Sequence, residues 1–554
     1  MKESTTKTIN EYIIYHDNYI KKYGDKTIVL MEVGSFYEVY QLETLDTQNK
    51  MGFDLDFLSD LTDLHKSKKQ EITYEGEKVK VFMAGFPTHS QEKFINKLLN
   101  AGFTIIIVDQ TGENPDNSKV REVTKVLSPG TVLENYSKLE NPSNNVISIV
   151  FNKGKDPSTK NIIYIAGISI IDFTTGISYF TQIESTPLDN KLWIDECYRI
   201  IHSYQPREII FALSRDLKEN ESLFSYESLS KEFICKELPV HYIEKIPDQY
   251  YKLSFINELL GKVYPNETSY SILDYLDLSN YEEVRSSFVY LIQFAYEHDR
   301  TIIEKIKKPI NEQSSELAIL SCNAIHQLDI VSQSDGFCLM KLLNKCSTQM
   351  GKRNFHYNLL HPTVNITILN KRYDNIEKLQ KKDLNSVTLC NKIHKDLKSI
   401  VDIEKIHRRI GLLKVHPCEL SSIMLSYSFI YDILKYAQET LGTNFCGNSV
   451  EFMEDFIKLK NCLDKLFNRD KLMEFTTITD TNDNIFNSGI FTEIEEYSDK
   501  NSAIINHHEE ITKVFSKMID DSKYTQKGEK VVKCDYDEKN GIVIYCTLNR
   551  GKKL

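Results

Sequence analysis

The sequence predicts a multidomain α+β protein: two N-terminal α/β domains, a long-helix region, and a short closing pair of strands. Three observations predict it. The chain has 554 residues, and single hydrophobic cores rarely grow past roughly 250–300 residues. Short apolar runs rich in Ile and Val alternate with helical segments up to about residue 250, the pattern of α/β units. Beyond that point apolar residues recur at spacings of 3 and 4, the period of one helix face. A composition of 41% hydrophobic and 27% charged residues is ordinary for a chain with packed cores.

The elements follow in order, with boundaries at 1–132, 133–250, 251–488, 489–521 and 522–554. In the first segment, strands are expected at 27–33, 79–84 and 104–109 and helices at 8–22 and 90–101, which together make a mixed sheet. Lys66-Ser67-Lys68-Lys69 is expected in a solvated polar loop. In the second, 146–150 and 162–171 read as strands, while Asn144-Asn145 and residues 152–157 carry turn chemistry. Residues 172–176 turn into a further strand at 177–180, and a helix at 189–203 leads to a strand at 208–211. In the third, Val284, Phe288, Leu291, Ile292, Ala295, Ile302, Ile303 and Ile306 form one helical stripe, ended by Pro309. Phe452, Phe456, Leu459, Leu463 and Leu466 form another. Ile494, Tyr497, Asn501, Ile504, His508, Ile511, Phe515 and Met518 alternate at 3 and 4, a heptad seam with two polar insertions. Both of these later stripes read as helical core. Residues 531–536 and 541–546 read as two strands joined by a turn at 537–540.

Charge and cysteine usage narrow the function classes. The net charge is −11, and residues 1–132 hold 16 Lys+Arg against 20 Asp+Glu. Such a balance argues against tight non-specific nucleic-acid binding and leaves room for a localised contact surface. The N-terminus lacks an apolar signal segment, and the most apolar stretch, 162–171, is about half the length that spans a bilayer. An intracellular protein without a membrane partner is expected, with its compartment unreadable. Eleven cysteines are dispersed without a Cys-x-x-Cys pair, which disfavours a disulfide framework or zinc ribbon and suggests small core residues. His507 and His508 are adjacent, so on a helix they point about 100° apart and do not share a metal. No catalytic, metal-ligating or cofactor-binding residue is assigned.

The most informative local feature is the end of the run 27–33. It stops at Gly34-Ser35, and Phe36 and Glu38 follow two residues apart, with Tyr37 between them. A Phe can wedge between stacked bases while a nearby acid hydrogen-bonds the displaced base, and minor-groove proteins insert apolar wedges in this way. Alone, a Phe beside a turn reads as core. The blocks at 81–89, 94–103, 106–110 and 126–131 change that reading. In order and spacing they resemble the N-terminal mismatch-recognition domain of the MutS family of DNA mismatch repair proteins. The family's Gly-Asp-Phe-Tyr-Glu motif is here Gly34-Ser35-Phe36-Tyr37-Glu38, with Ser in place of Asp. The resemblance implies that Phe36 stacks on a mispaired base and Glu38 hydrogen-bonds it, with Gly34 and Tyr37 completing the DNA-binding set.

The resemblance extends along the chain. Segment 133–250 looks like the MutS connector, whose fold is ribonuclease H-like. A nuclease there would need clustered carboxylates holding two metals. Asp172 sits in a turn and Asp195 and Glu196 on a helix face, so no catalysis is expected. Segment 251–488 resembles the MutS core and lever, through Ser347-Thr348-Gln349-Met350-Gly351-Lys352-Arg353 above all. Met350-Gly351 would allow close helix approach, and Arg353 and Arg372 read as interhelical ion-pair partners. Segment 489–521 looks like the lever helix. Segment 522–554 looks like the opening half of the clamp, with a basic ending at 550–554.

The family's ATPase signature is a phosphate loop, Gly-x-x-x-x-Gly-Lys-Ser/Thr, whose amides cradle phosphate. No stretch of this chain completes that signature: Gly112-Glu113-Asn114-Pro115 and Gly528-Glu529-Lys530-Val531 both fail it, and Gly442 and Gly447 have the glycine spacing but are followed by Asn448 where the Lys should stand. The expectation is therefore a non-enzyme that is a fragment, one half of a split gene or a degraded copy, with ATP and Mg belonging to an ATPase domain absent here. The resemblance implies double-stranded DNA with mismatches as partner, a second polypeptide supplying the ATPase half, and dimers in complete members. The wording around Phe36 resembles the branch found in large DNA viruses and some organelles. The alternative is a MutS-derived scaffold that no longer reads mismatches; the retained Phe36 and Glu38 favour mismatch reading.

Overall fold

The computed structural model describes residues 2–45, 49–74, 76–113, 119–133, 144–156, 160–186, 188–215, 217, 222–233, 238–265, 271–312, 317–318, 320, 322–331, 337–380, 389–441, 450–478, 483–519, 532–537 and 541–546. Cys235, Cys446, the 528–531 stretch, residues 538–540 of the last turn and the basic ending 550–554 lie outside the described residues. The chain divides into two compact units, Met1–Lys414 and Val415–Leu554.

The first unit opens with α1 (Lys2–Tyr23), which buries Ile9, Tyr12 and Ile13 against β1 (Thr27–Val33). The helix stops where Gly24 takes φ +89° and donates its amide to Ile20 O at 2.8 Å, a left-handed cap that glycine adopts without strain. There follow β2 (Phe36–Thr44), β3 (Lys50–Gly52), α2 (Leu55–Thr62), β4 (Ser67–Tyr74), β5 (Glu77–Pro87), α3 (Gln91–Asn100), β6 (Thr104–Glu113) and β7 (Lys119–Leu127). The sheet order is β4-β5-β2-β1-β6-β7, with β3 beside β2. Only β1 and β6 run parallel, so the sheet is mixed, as expected. Five elements escape the sequence patterns: β2, β3, α2, β4 and β7. Helix α2 is capped by the Asp54 carboxylate accepting from Asp56 N at 3.0 Å. In β4, Ser67, Lys68 and Lys69 are not in a loop but begin an edge strand.

A short segment ties this sheet to the next. Glu208, fully buried, accepts from the Gly130 amide at 3.2 Å and the Ser128 hydroxyl at 3.1 Å. The second sheet contains β8 (Asn145–Lys155), β9 (Ile162–Asp172), β10 (Ile177–Glu184), β11 (Glu208–Leu213), β12 (Val240–Ile243) and β13 (Ile310–Asn311), in the order β12-β11-β8-β9-β10-β13. Its helices are α4 (Leu192–Tyr204), α5 (Tyr226–Glu232), α6 (Leu253–Val263), α7 (Ile272–Tyr275) and α8 (Glu282–His298). Trp193, Cys197 and Ile201 of α4 share a core with Phe151 and Phe211. On β9, a Cβ at Gly167 would stand 2.3 Å from Glu283 C, so only glycine lets α8 seat this closely on the sheet. Strand β8 runs through residues 152–155, where a turn was expected. The stripe from Val284 to Ile306 is buried, but α8 ends at His298. The Asp299 carboxylate accepts from Thr301 N and Oγ1 at 2.8 and 2.7 Å, and such local bonds compete with helix continuation. Strand β13 completes this sheet and α8 packs on it, although both lie beyond residue 250.

The unit closes with α9 (Cys322–Gln327), α10 (Leu339–Leu343), α11 (Gln349–Leu360), α12 (Ile366–Gln380), α13 (Leu389–Leu397) and α14 (Ile403–Gly411). Thr348 Oγ1 caps α11 by accepting from Gly351 N at 3.0 Å. A Cβ at Gly351 would lie 2.9 Å from that same oxygen, so this glycine makes room for the helix's own cap and not for a neighbouring helix, a correction to the expectation. Arg353 forms the expected ion pairs, a fork on Asp402 (2.6 and 2.7 Å) and a bond to Glu404 (2.5 Å). Arg372 donates instead to the neutral Asn358 Oδ1 at 2.8 Å. Arg408, buried, donates to the carbonyls of Ile302 (2.7 Å), Glu304 (2.5 Å) and Phe173 (3.4 Å), tying α14 to the β9–β10 turn.

The second unit holds α15 (Pro417–Leu441), α16 (Val450–Leu466), α17 (Arg469–Glu474), α18 (Thr492–Ile519) and the antiparallel pair β14 (Lys533–Asp537) and β15 (Gly541–Tyr545). Helix α15 packs with α16 and α17. The two stripes expected as core are largely open here: Phe452 is 50% exposed, Tyr497 72% and Met518 62%. A period of 3 and 4 specifies an apolar face and not what covers it. The cysteines also depart from expectation: Cys197 and Cys338 are buried, whereas Cys390 and Cys462 are exposed. Among the described residues no helix is long and apolar enough to cross a membrane.

Candidate nucleic-acid interface

The site is built on the β1–β2 hairpin. Val33 pairs with Phe36, so the loop is only Gly34-Ser35. Gly34 has φ +64° with open space around its missing side chain. Its role is therefore conformational, and a glycine at the first of two loop positions is the pattern of a type II′ turn. The Thr88 amide donates to Ser35 O at 3.0 Å, fastening the loop to the end of β5.

Alternation along β2 then sorts the candidates. Phe36 is 44% exposed at the strand's first position. Tyr37 faces the other way: it is buried, lies 5.9 Å from the Phe86 ring, and donates its hydroxyl to Asp109 Oδ1 at 2.6 Å. Burial, then that hydrogen bond to Asp109, holds its phenol well above the usual range. Tyr37 therefore anchors β2 to β6 and presents no contact surface, contrary to its place in the expected DNA-binding set.

Glu38 returns to the face of Phe36 and is mostly buried. Its Oε2 accepts from Lys69 Nζ at 2.6 Å and from the Tyr40 hydroxyl. Neither donor uses Oε1, which makes no hydrogen bond among the described residues. Tyr40 is fully buried, with its ring 5.2 Å from Tyr12 of α1, and burial, then the neighbouring Glu38 charge, raises its phenol strongly. Across the ladder Glu38 faces Gly85 of β5. A Cβ there would sit 2.7 Å from Tyr37 O and 3.4 Å from Glu38 Cγ, so the glycine makes room for the β2 backbone beside Glu38.

Lys69 was not singled out by the sequence, which placed it in a solvated loop. It is the extra residue of a β-bulge: Lys68 pairs with Phe82 and Gln70 with Val81, leaving Lys69 without a partner on β5. Bulges at sheet edges redirect a side chain in this way. Its neighbours are committed elsewhere, Lys66 to Asp56 at 2.9 Å and Lys68 to Glu71 at 2.7 Å.

The carboxylates considered for a nuclease do not converge. Asp172 accepts from Thr174 N and Oγ1 at 2.9 and 2.6 Å, and Glu196 pairs with Arg199 at 2.9 Å. Among the described residues no group of three or more His, Cys, Asp or Glu side chains is placed to hold a metal ion.

Two family models match the chain: MutS domain I over residues 15–136 and MutS domain III over residues 323–533. The first takes in the hairpin, Glu38 and Lys69. A MutS homologue of Acanthamoeba polyphaga mimivirus is 23% identical over 572 residues, covering 98% of this chain and 49% of that protein. The DNA mismatch repair protein MutS of Clostridioides difficile is 25% identical over 546 residues, covering 95% and 49%. A mitochondrial DNA mismatch repair MutS homologue of Sarcophyton glaucum is 25% identical over 465 residues, covering 76% and 45%. The chain spans about half the length of the curated relatives it matches.

Proposed function

The chain belongs to the MutS family of DNA mismatch repair proteins, and on that premise we propose that its N-terminal domain binds mispaired duplex DNA, with Phe36 as the wedge and Glu38 as the hydrogen-bonding group. One observation carries the reading. The Phe36 ring is exposed beside the hairpin turn, and on the same strand face the next side chain is a carboxylate with one oxygen unbonded among the described residues. A mispaired step is cheaper to unstack and bend than a matched one. Phe36 enters from the minor groove, and base–aromatic stacking contributes about 1–3 kcal/mol. Glu38 Oε1 then meets the displaced base. Recognition in this scheme is by deformability first and base chemistry second.

The remaining segments are assigned supporting roles: 133–250 as a ribonuclease H-like connector, 251–488 as core and lever, 489–521 as lever helix and 522–554 as part of a DNA clamp. No complete phosphate-loop signature occurs in the 554 residues; where Gly442 and Gly447 have the glycine spacing, Asn448 stands at the Lys position. We assign no ATP hydrolysis to them, and place ATP-driven switching, with its Mg, in an ATPase unit on the same or a second polypeptide. Dimerisation belongs with that step.

The test compares affinity for a matched duplex and a single-mismatch duplex at one salt concentration, with Phe36→Ala alongside. Preference for the mismatch that the variant loses supports the reading. Equal binding throughout favours a scaffold, and metal-dependent cleavage favours a nuclease.

A further inference from the structure

Among the described residues the Glu38 carboxylate is held at one oxygen only, by the Tyr40 hydroxyl and by Lys69, the bulged residue of an edge strand. We propose that Lys69 is a specificity-determining residue of the interface. By holding Oε2 together with the Tyr40 hydroxyl, it fixes Oε1 as a hydrogen-bond acceptor and so selects displaced bases that offer it a ring N–H, guanine (N1–H) and thymine (N3–H), over adenine and cytosine, whose ring N1 and N3 only accept and whose amino groups lie toward the major-groove edge. The inference rests on the Phe36–Glu38 reading above.

A carboxyl group can meet a base in two ways, as an acceptor or, when protonated, as a donor. The surroundings of Glu38 decide between them. Lys69 Nζ carries three donors and no acceptor, and it lies 2.6 Å from Oε2, 3.0 Å from the Tyr40 oxygen and 4.9 Å from the Tyr40 ring centre. The Tyr40 hydroxyl also donates to Oε2. Both neighbours thus use the carboxylate as an acceptor through Oε2, and the lone pairs of Oε1 are not taken by either. On the minor-groove side guanine presents its N2 amino group, while adenine N3 and the pyrimidine O2 atoms are acceptors. Once unpaired, guanine N1–H and thymine N3–H are also donors, whereas adenine N1 and cytosine N3 are acceptors. An acceptor facing an acceptor leaves both desolvated groups unsatisfied, a penalty on the order of tenfold in affinity.

The experiment measures binding of the full chain to four duplexes that differ only in one unpaired extra base, G, T, A or C, each expressed relative to the matched duplex. The expected result is that wild type favours extra G and T over A and C by about tenfold. Lys69→Met brings that ratio near one, while Lys69→Arg, which keeps the donor, preserves it. Tyr40→Phe, which removes the second donor and keeps the ring, narrows it. Expressing each value against the matched duplex removes any general loss of DNA affinity. A G/T preference that survives in Lys69→Met overturns the inference, as does a wild type that prefers extra bases without choosing among them. Loss of all duplex binding by a folded Lys69→Met protein would make Lys69 a phosphate contact and also overturns it. In those three cases the Phe36 reading stands if Phe36→Ala abolishes the preference for extra bases. A wild type that binds matched and bulged duplexes alike overturns both.

Discussion

Gly85→Ala is the sharpest perturbation the site allows. Gly85 lies in the middle of the β2–β5 ladder opposite Glu38, and no positive φ is involved, so the effect is steric. The added Cβ would meet Tyr37 O at 2.7 Å and the Cα and Cγ of Glu38 at 3.4 Å. The first contact is with backbone and cannot be relieved by a rotamer change; the ladder itself must move. Overpacking of this kind costs about 1–3 kcal/mol, which corresponds to about 5- to 150-fold faster amide exchange in the affected strands. Hydrogen–deuterium exchange of peptides within 36–44 and 77–87 reads it locally, which suits a multidomain chain that need not unfold in one step. The control is Gly261→Ala, inside α6 with nothing within 4 Å of the new Cβ, where removing glycine should stabilise by about 0.5–1 kcal/mol. If β2 and β5 exchange in Gly85→Ala within about twofold of wild type, the steric account of the site is wrong.

Three further outcomes are expected. Phe36→Ala should leave thermal unfolding unchanged, because the ring is already 44% exposed, while lowering mismatch affinity by about 5- to 150-fold through the lost stacking; a titration against a mismatched duplex checks both. Thr348→Ala removes the cap of α11 and should cost about 0.5–2 kcal/mol, seen as faster exchange confined to residues 349–360. Burial pushes His298 down to about 4, so the folded state holds it neutral while the unfolded chain protonates near 6.5. Its stabilisation is full above about pH 6.5 and is lost as pH falls toward 4, with a slope of up to about 1.4 kcal/mol per pH unit. His356 and His361, also lowered to about 4 by burial, act in the same window, so His298→Leu should reduce the dependence of melting temperature on pH between 7 and 5 without abolishing it.

Sequence patterns carried the elements whose evidence is local. Gly34-Ser35 after an apolar run announces a turn, and a two-residue turn stands there in the structure; that Phe36 and Glu38 share a face follows from β2, a strand that was not expected there. What depends on partners distant in sequence was not legible. The bulge at Lys69 exists because β4 and β5 differ by one residue in register, a relation no local window contains. Residues 152–155 carry Asn and Gly that read as a turn, yet they extend β8 because β9 supplies a ladder as far as Ile162. Ile302, Ile303 and Ile306 continue a helical spacing and are buried, but through turns shaped by Asp299 and pinned by Arg408. Tyr37 was drawn into the site by adjacency, although strand alternation alone sends it to the opposite side.

The one-sided grip on Glu38 also bears on where the cost of order falls. Immobilising a glutamate side chain forfeits roughly 1.5–2 kcal/mol of rotamer entropy. Lys69 and Tyr40 impose that loss while the domain folds, so a duplex arriving later meets an oxygen already aimed, and preorganisation of this kind raises affinity without adding a contact.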